Sequence, residues 1–198
     1  MTTQLSLRER NRLRTTTEIL DAAAVLLGDP TTATFTLEDL AQKAGVSRGT
    51  VYAYFDGGRD QIITEVYLRA AAHVRERAEL LRGEQTEPAD RIAALARGFL
   101  EVAAQPTGRF YGAVRPDVAA IVADNMGSTS VRLTELILED LRETEIEGAL
   151  TSGLDAALLA TLVSGAIRAA GERAARNPSD VDRLIRTIRE LVVRVTTA

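Results

Sequence analysis

The sequence predicts an all-α protein of about nine helices. Hydrophobic residues make up 45% of the 198-residue chain, which is enough to build a packed core. Aromatic residues make up only 4%, and the strong helix formers alanine and leucine dominate the apolar positions. Apolar residues recur at helical spacing through most of the chain, and no segment has the alternation of a convincing strand. These observations favour helices packed on helices.

The first helix is expected to follow a disordered tail of residues 1–7. From Thr15 onward apolar residues recur with helical spacing, and Gly28 with Pro30 ends the pattern. We therefore expect the helix to begin near Thr15 and to end at Gly28.

Residues 36–59, TLEDLAQKAGVSRGTVYAYFDGGR, begin with a short helix that ends at a tight turn. Thr36 can cap this helix, of about residues 37–44, while Asp39 reaches back from the third helical position. Gly45 is expected to end it in the left-handed conformation that glycine adopts at the lowest cost.

A second short helix, of about residues 48–54, follows this turn. Ser47 can cap it, and Val51 and Phe55 are expected to point inward. Two short helices joined in this way form a helix-turn-helix, whose second helix is suited to the major groove of DNA. An ordinary helical hairpin that contacts protein is the alternative.

The same stretch resembles the N-terminal DNA-binding domain of the TetR family of transcriptional regulators, over about the first third of the chain. The residues that carry the resemblance are Thr36-Leu37, Leu40-Ala41, Ala44-Gly45-Val46-Ser47, Gly49-Thr50-Val51-Tyr52 and Tyr54-Phe55. One departure is that the family usually has a lysine soon after the phenylalanine, whereas here Asp56-Gly57-Gly58 precedes Arg59.

Eight residues are expected to contact double-stranded DNA. Arg48 and Thr50 lie early on the second helix, where arginine suits a guanine edge and threonine a thymine methyl group. Gly49 would let the DNA approach closely. Contacts to phosphates are assigned to Thr36, Ser47, Tyr52, Tyr54 and Arg59. Simple surface exposure is the alternative for each of them.

Charge is divided unevenly along the chain. Residues 1–59 hold seven basic and seven acidic side chains, so the other 139 residues carry the whole net charge of −4. Four arginines occupy positions 8 to 14, opposed only by Glu9. This cluster, Arg8–Arg14, could be an arm that contacts phosphates or enters the minor groove, or a mobile solubilising leader.

After a DNA-binding domain of residues 1–59, residues 60–198 are expected to form a second helical domain. A long helix of residues 60–81 begins beside the helix-turn-helix and should direct Tyr67 and Ala70 toward the second domain, so it can couple the two parts. Further helical segments are expected at 89–104, within 106–116, and at 117–126, 129–144, 154–176 and 181–195.

Five of the larger side chains in this alanine-rich second domain are candidates for a ligand site: Phe99, Phe110, Tyr111, Met126 and Leu133. The family resemblance implies a pocket in the middle of the domain, and aromatic and methionine side chains suit a small apolar molecule. Core packing is the alternative role for each residue.

The last two helices have a pattern that is typical of a helical bundle. Small side chains recur at four-residue spacing in residues 154–176, and apolar side chains alternate at spacings of three and four in residues 181–195. TetR-like proteins pair through these helices, so the resemblance implies a homodimer. The expected interface residues are Leu158, Leu162, Gly165, Leu184, Ile188, Leu191 and Val195. Packing within one chain is the alternative.

Other functional classes have little support in the sequence. The chain has no cysteine, and its only histidine, His73, is expected at a partly exposed helical position rather than at a metal or catalytic site. We expect no cofactor, no metal and no catalytic residue. No apolar run reaches the roughly 18 residues needed to span a membrane, and the N-terminus lacks a secretory signal, so a cytoplasmic protein is expected.

The leading hypothesis is a one-component transcriptional regulator, usually a repressor in this family. A homodimer would bind a near-palindromic operator and release it when a small apolar ligand favours a conformation that spaces the two reading helices wrongly. The alternative is a DNA-binding regulator without a ligand, controlled by a protein partner or by its own abundance. A second domain without a cavity would favour that alternative. An enzyme with a vestigial motif is a third hypothesis.

Overall fold

In the computed structural model, residues 6–32 and 34–196 are described, and within these ranges the chain is helical and has no strand. The ten α-helices are α1 (Leu7–Gly28), α2 (Leu37–Ala44), α3 (Arg48–Tyr54), α4 (Gly58–Gly83), α5 (Pro88–Ala104), α6 (Arg109–Gly112), α7 (Pro116–Val122), α8 (Ser128–Ile146), α9 (Ala156–Arg176) and α10 (Val181–Thr196). The predicted all-α class is confirmed. None of these helices is long and apolar enough to cross a membrane.

Helix α1 begins earlier than its apolar spacing predicts. Ser6 caps it, because the Ser6 N–H donates to Glu9 Oε2 at 2.8 Å and the Glu9 N–H donates to Ser6 Oγ at 3.3 Å. Leu7 and Leu13 are 66% and 55% exposed, so the first turns bury too little apolar surface to produce a periodic pattern. The predicted tail is therefore wrong for residues 6 and 7, while residues 1–5 lie outside the described ranges.

Helices α1, α2 and α3 enclose a small apolar core. Ile19, Leu40 and Val51 have no exposed surface, and Phe55 is 1% exposed. Ala41 is also buried and lies where a larger side chain would push α2 away from its neighbours. The inward orientation expected of Val51 and Phe55 is confirmed.

Helix α4 connects this core with the rest of the molecule. It contacts α1 at one end and packs along α5, α7 and α8 beyond it. It approaches α5 closely at Gly98, where a Cβ atom would lie 2.6 Å from the backbone of Ala78. Because backbone cannot move aside as a side-chain tip can, this crossing fixes the separation of the two helices. The boundary predicted at residue 59 falls inside α4, and the two-domain division stays a prediction.

A buried carboxylate joins the far end of α4 to α5 and α8. Asp140 has no exposed surface, and its Oδ1 lies 2.7 Å from Arg82 Nη2 and 2.6 Å from Arg91 Nη2. Burial raises the pKa of Asp140, and hydrogen bonding and charge attraction from Arg82 act in the opposite direction. Two guanidinium groups therefore compensate one buried negative charge, and the three helices are held together at this point.

The last two helices close the fold. Helix α9 packs against α8 and α5, and α10 packs mainly on α5. The loop after α8 is fixed to the end of α10, because the Thr151 N–H donates to the Val195 carbonyl at 3.0 Å. One face of α9 and part of α10 remain uncovered.

Candidate functional site

The ends of α2 have the geometry expected from the sequence. The Thr36 N–H donates to Asp39 Oδ2 at 2.8 Å, and the Asp39 N–H donates to Thr36 Oγ1 at 3.1 Å. Hydrogen bonds from the Thr36 backbone and side chain lower the pKa of Asp39, so it remains ionised at the positive end of the helix. Gly45 follows α2 with a φ angle of 68°, in the left-handed region. The predicted cap and turn are confirmed.

Of the two residues expected to read bases, Arg48 is exposed on α3 and Thr50 is half-buried. Ser47 caps it by accepting the Thr50 N–H at 3.0 Å, and the two hydroxyl groups lie 2.8 Å apart. Arg48, Gly49 and Tyr52 are exposed on the outer side, and Val51 anchors the inner side. Base or phosphate contacts by these residues stay a prediction, but the arrangement leaves the outer side of α3 uncovered.

Arg48 rests on its own helix in this structure. Its Nη2 lies 3.5 Å from the Tyr52 hydroxyl, and its guanidinium carbon lies 5.6 Å from the centroid of the Tyr52 ring. The hydrogen bond with Tyr52 raises the pKa of Arg48. Contact with a base edge would therefore require Arg48 to leave a weak, solvent-exposed partner.

Arg59 is placed differently from the other predicted DNA contacts. Its Nε donates to the Phe35 carbonyl at 3.2 Å, and its Nη2 donates to Thr34 Oγ1 at 2.7 Å. Nη2 also lies 3.7 Å from Asp117 Oδ2 on α7. The guanidinium is thus held by the protein on two sides, and the predicted phosphate contact would require it to give up these partners.

Two arginines of α1, Arg8 and Arg12, lie beside α3. The guanidinium carbon of Arg12 is 5.2 Å from the centroid of the Tyr54 ring, and Arg8 lines the same surface cleft. Arg8–Arg14 therefore lies on a helix rather than in a mobile leader, and contact of this cluster with phosphates or the minor groove stays a prediction. Thr36, also assigned to phosphate, is exposed at the start of α2. Together these residues form one partly basic surface.

A cavity of about 390 Å³ lies among α4, α5, α8 and α9. Four of the five predicted ligand residues line it: Phe99, Tyr111, Met126 and Leu133. Phe110 instead lines a separate pocket at the end of α1. The reason is local, because adjacent residues on the single turn of α6 point about 100° apart. Met126 is 46% exposed, so it lies at the edge of the cavity rather than in its interior.

The inner wall of the cavity is an aromatic cluster. The Tyr111 ring centroid lies 5.0 Å from that of Tyr67 and 6.1 Å from that of Phe99. The Tyr111 hydroxyl donates to Thr129 Oγ1 at 2.7 Å. Burial raises the pKa of Tyr111 to about 12, so the cavity contains a neutral phenol. An apolar surface with a few fixed hydroxyl groups is typical of a small-molecule site.

Several cavity residues were not identified from the sequence. Ser164 is buried in α9, and Thr134 Oγ1 donates to its hydroxyl at 2.7 Å. Arg168 and Glu172, one and two turns further along α9, also line the cavity. A buried serine within an apolar run is the one signal that could have indicated them, since the neighbouring helices that meet it are distant in sequence.

The uncovered face of α9 is apolar. Leu158 and Leu162 are 68% and 70% exposed, and Leu191 on α10 is 46% exposed. Gly165 is half-buried beside them. Of the other predicted interface residues, Leu184 and Val195 are half-buried and Ile188 is buried within its own chain. Ile188 is therefore already shielded from solvent in the single chain, without a dimer partner.

Residues 19–66 match the profile of bacterial regulatory proteins of the tetR family. This stretch is similar to the domain that defines the family. The match covers most of α1, all of α2 and α3, and the beginning of α4. The family consists of DNA-binding transcriptional regulators rather than enzymes. No curated protein matches the chain.

Solved structures of transcriptional regulators and of a receptor share the fold over most of the chain. A TetR-like transcriptional regulator from Rhodococcus sp. RHA1 is 22% identical, with a TM-score of 0.70 over 91% of this chain and 94% of that one. A gamma-butyrolactone receptor, described as an ArpA-like protein, is 18% identical, with a TM-score of 0.73 over 94% and 90%. The regulator FadR from Bacillus subtilis, in complex with stearoyl-CoA, is 19% identical, with a TM-score of 0.68 over 89% and 97%. At these identities the likeness concerns the fold.

Proposed function

We propose that this TetR-type protein is a homodimeric repressor that releases its operator when a small apolar ligand binds. Each protomer would insert α3 into the major groove at one half of a near-palindromic site. The two half-sites would lie about 34–36 Å apart, or a multiple of that distance, because both reading helices must face the same side of the DNA.

The proposed response to a ligand rests on the position of Tyr67. It lies on α4, which begins at Gly58, four residues after the end of α3. The Tyr67 ring forms part of the cavity wall and contacts Tyr111. A ligand that displaces Tyr67 would move the helix that directly follows α2 and α3, which we call the reading head. One continuous helix thus supplies a physical connection between the cavity and the DNA surface.

The dimer is proposed from the exposed leucines. Leu158 and Leu162 lie one turn apart on α9, beside the half-buried Gly165, and would pack against the same residues of a second copy around a two-fold axis. Large apolar side chains grouped on one face are typical of association surfaces. Burying them in a four-helix arrangement would also fix the separation of the two reading heads.

The cavity favours a ligand over the alternative of control by a protein partner or by abundance. A volume of about 390 Å³ lies in the range of ligand pockets, about 300–1,000 Å³, whereas a solid core would have supported the alternative. Since similar structures include a gamma-butyrolactone receptor and a complex with stearoyl-CoA, ligands with an apolar body and a polar carbonyl group are the first class to screen.

The decisive experiment is a linkage measurement. Compounds would first be found by thermal shift, and an operator would be selected from random DNA with the wild-type protein. A ligand that lowers operator affinity a hundredfold has a coupling free energy of about 2.7 kcal/mol, and the operator must weaken ligand binding by the same factor. Calorimetric titration of the ligand with and without operator measures this directly.

Matched variants connect the linkage to the cavity. Met126→Ala at the cavity edge should weaken ligand binding while leaving operator binding by the free protein nearly unchanged. Val131→Ala truncates an exposed apolar side chain of α8 outside the cavity and should change neither. Equal ligand affinity with and without operator would rule out the proposed release mechanism.

A further inference from the structure

A second pocket, of about 480 Å³, lies where the end of α1 meets α6 and the end of α9. We call it the junction pocket. Its lining consists of Leu27, Gly28, Asp29, Pro30, Arg109, Phe110, Ala113, Arg115, Ala175 and Arg176. None of these residues lines the cavity described above. Three guanidinium groups and one carboxylate therefore share a pocket with several apolar side chains.

Arg109 is the unusual member of this group. Its Nε is buried and has no hydrogen-bond partner, the one such side-chain atom among residues 6–32 and 34–196. Across the same ranges the guanidinium forms no ion pair either. A buried donor without an acceptor is costly, and an arginine that lines a pocket can gain an acceptor from a bound molecule.

The other charged groups of the junction pocket are already engaged. Arg115 Nη1 donates to the Thr32 carbonyl at 2.6 Å, and Arg176 Nη2 pairs with Glu172 at 3.1 Å. Asp29 accepts hydrogen bonds from the backbone and hydroxyl of Thr31, which lower its pKa and keep it ionised. The carboxylate is thus satisfied locally, and among the described residues Arg109 is the lining arginine whose guanidinium has neither a hydrogen bond nor an ion pair.

The C-terminal end of α1 favours a positive charge at the position of Arg109. Carbonyl groups at the C-terminus of a helix attract positive charge, and Gly28 is the last residue of α1. In the described part of the chain, however, the Arg109 side chain donates no hydrogen bond to those carbonyls. The planar donor fork of a guanidinium fits carboxylate and phosphate oxygens equally well.

We propose that the junction pocket binds a small amphipathic anion, with a carboxylate or phosphate group on Arg109 and an apolar body against Phe110 and its neighbours. The site lies at the start of the loop that leads from α1 into α2, so its occupant would contact the support of the reading head. It is separate from the cavity that holds the ligand of the proposed repressor, and its existence does not depend on DNA binding.

The test uses three probes of similar shape on the full-length protein: phenyl phosphate, 3-phenylpropionate and the uncharged 3-phenylpropionamide. We expect calorimetry to give one site per protomer for an anion, with a Kd of about 1 mM or tighter, and much weaker binding of the amide. The relative affinity of the two anions identifies phosphate or carboxylate as the preferred group. Failure of both anions to bind, or equal binding of the amide, overturns the proposal.

Three variants test whether the anion binds in the junction pocket. Arg109→Gln should weaken the preferred anion by about tenfold or more, because a charge-assisted hydrogen bond is lost. Ala113→Leu keeps every charge but fills part of the pocket, and it should weaken binding similarly. Arg142→Gln removes an exposed arginine that has no ion pair within the described residues and lies outside the pocket, so it should have no effect. Thermal unfolding checks that each variant is folded. Unchanged affinity in Arg109→Gln would place the anion elsewhere and refute the site.

Discussion

Replacing Leu162 with alanine should dissociate the proposed dimer without unfolding the protomer. Leu162 is 70% exposed on α9, so most of its surface remains available for burial by a second copy. Complete burial of a leucine contributes about 2 kcal/mol, and the exposed fraction therefore represents about 1.5 kcal/mol. A two-fold interface contains the residue twice, which doubles the loss to about 3 kcal/mol and weakens dimerisation about 150-fold.

Sedimentation equilibrium across a range of concentrations measures this dissociation constant. Leu80→Ala is the matched control, because Leu80 is 59% exposed on α4, away from α9 and α10, and its truncation should leave the dimer unchanged. Circular dichroism should show the same helix content in all three proteins. A wild-type protein that is monomeric at micromolar concentration, or equal dissociation constants for Leu162→Ala and the wild type, would refute the proposed interface.

Three further predictions concern DNA binding, pH and stability. Arg48→Ala should weaken operator binding by about 1–3 kcal/mol more than it weakens binding to random DNA. Arg59→Ala should weaken binding to both DNAs and reduce the slope of log affinity against log salt concentration by about one unit. Fluorescence anisotropy at several salt concentrations measures both effects, and equal losses on operator and random DNA for both variants would show that Arg48 does not read a base. Burial raises the pKa of Tyr111 to about 12, so its stabilising contribution should be complete below about pH 10 and lost as pH rises toward 12, by a few kcal/mol at most. The free energy of unfolding in urea should not show this loss for Tyr111→Phe. Asp140→Ala removes the carboxylate that Arg82 and Arg91 share, although each keeps a second acidic partner. The free energy of unfolding should fall by about 1.5–3 kcal/mol, and a loss below about 1 kcal/mol would contradict the compensating role.

The helix-turn-helix could be predicted closely because its determinants are local. The cap at Thr36, the left-handed Gly45 and the cap at Ser47 each act within about four residues, so the sequence contains the complete interaction. The start of α1 could not be predicted in the same way. Its first turns are exposed on all sides, and hydrophobic spacing gives no signal for a helix that buries nothing there.

The contacts of Arg59 were inaccessible to sequence reasoning for the opposite reason. Its partners Thr34 and Phe35 are 25 and 24 residues away, and Asp117 is further still, so only the folded chain brings them together. The ligand candidates illustrate both cases. Residue type indicated an aromatic cavity, and local helix geometry explains why Tyr111 and Phe110 point in different directions. Which of the two faces the cavity is decided by how α6 packs on the rest of the chain.

If a ligand displaces Tyr67 as proposed, we expect α4 to tilt about its close crossing with α5 at Gly98. Ala78 is held there against the α5 backbone, about 30 Å along the helix from Gly58 and about 17 Å from Tyr67, at 1.5 Å per residue. A sideways push of 1 Å at Tyr67 would thus be expected to displace Gly58 by about 1.8 Å, from the ratio of these arms. Replacing Gly98 with alanine should separate α4 from α5 at this crossing. The same displacement of Tyr67 would then translate α4 instead of tilting it, and α3 would move less.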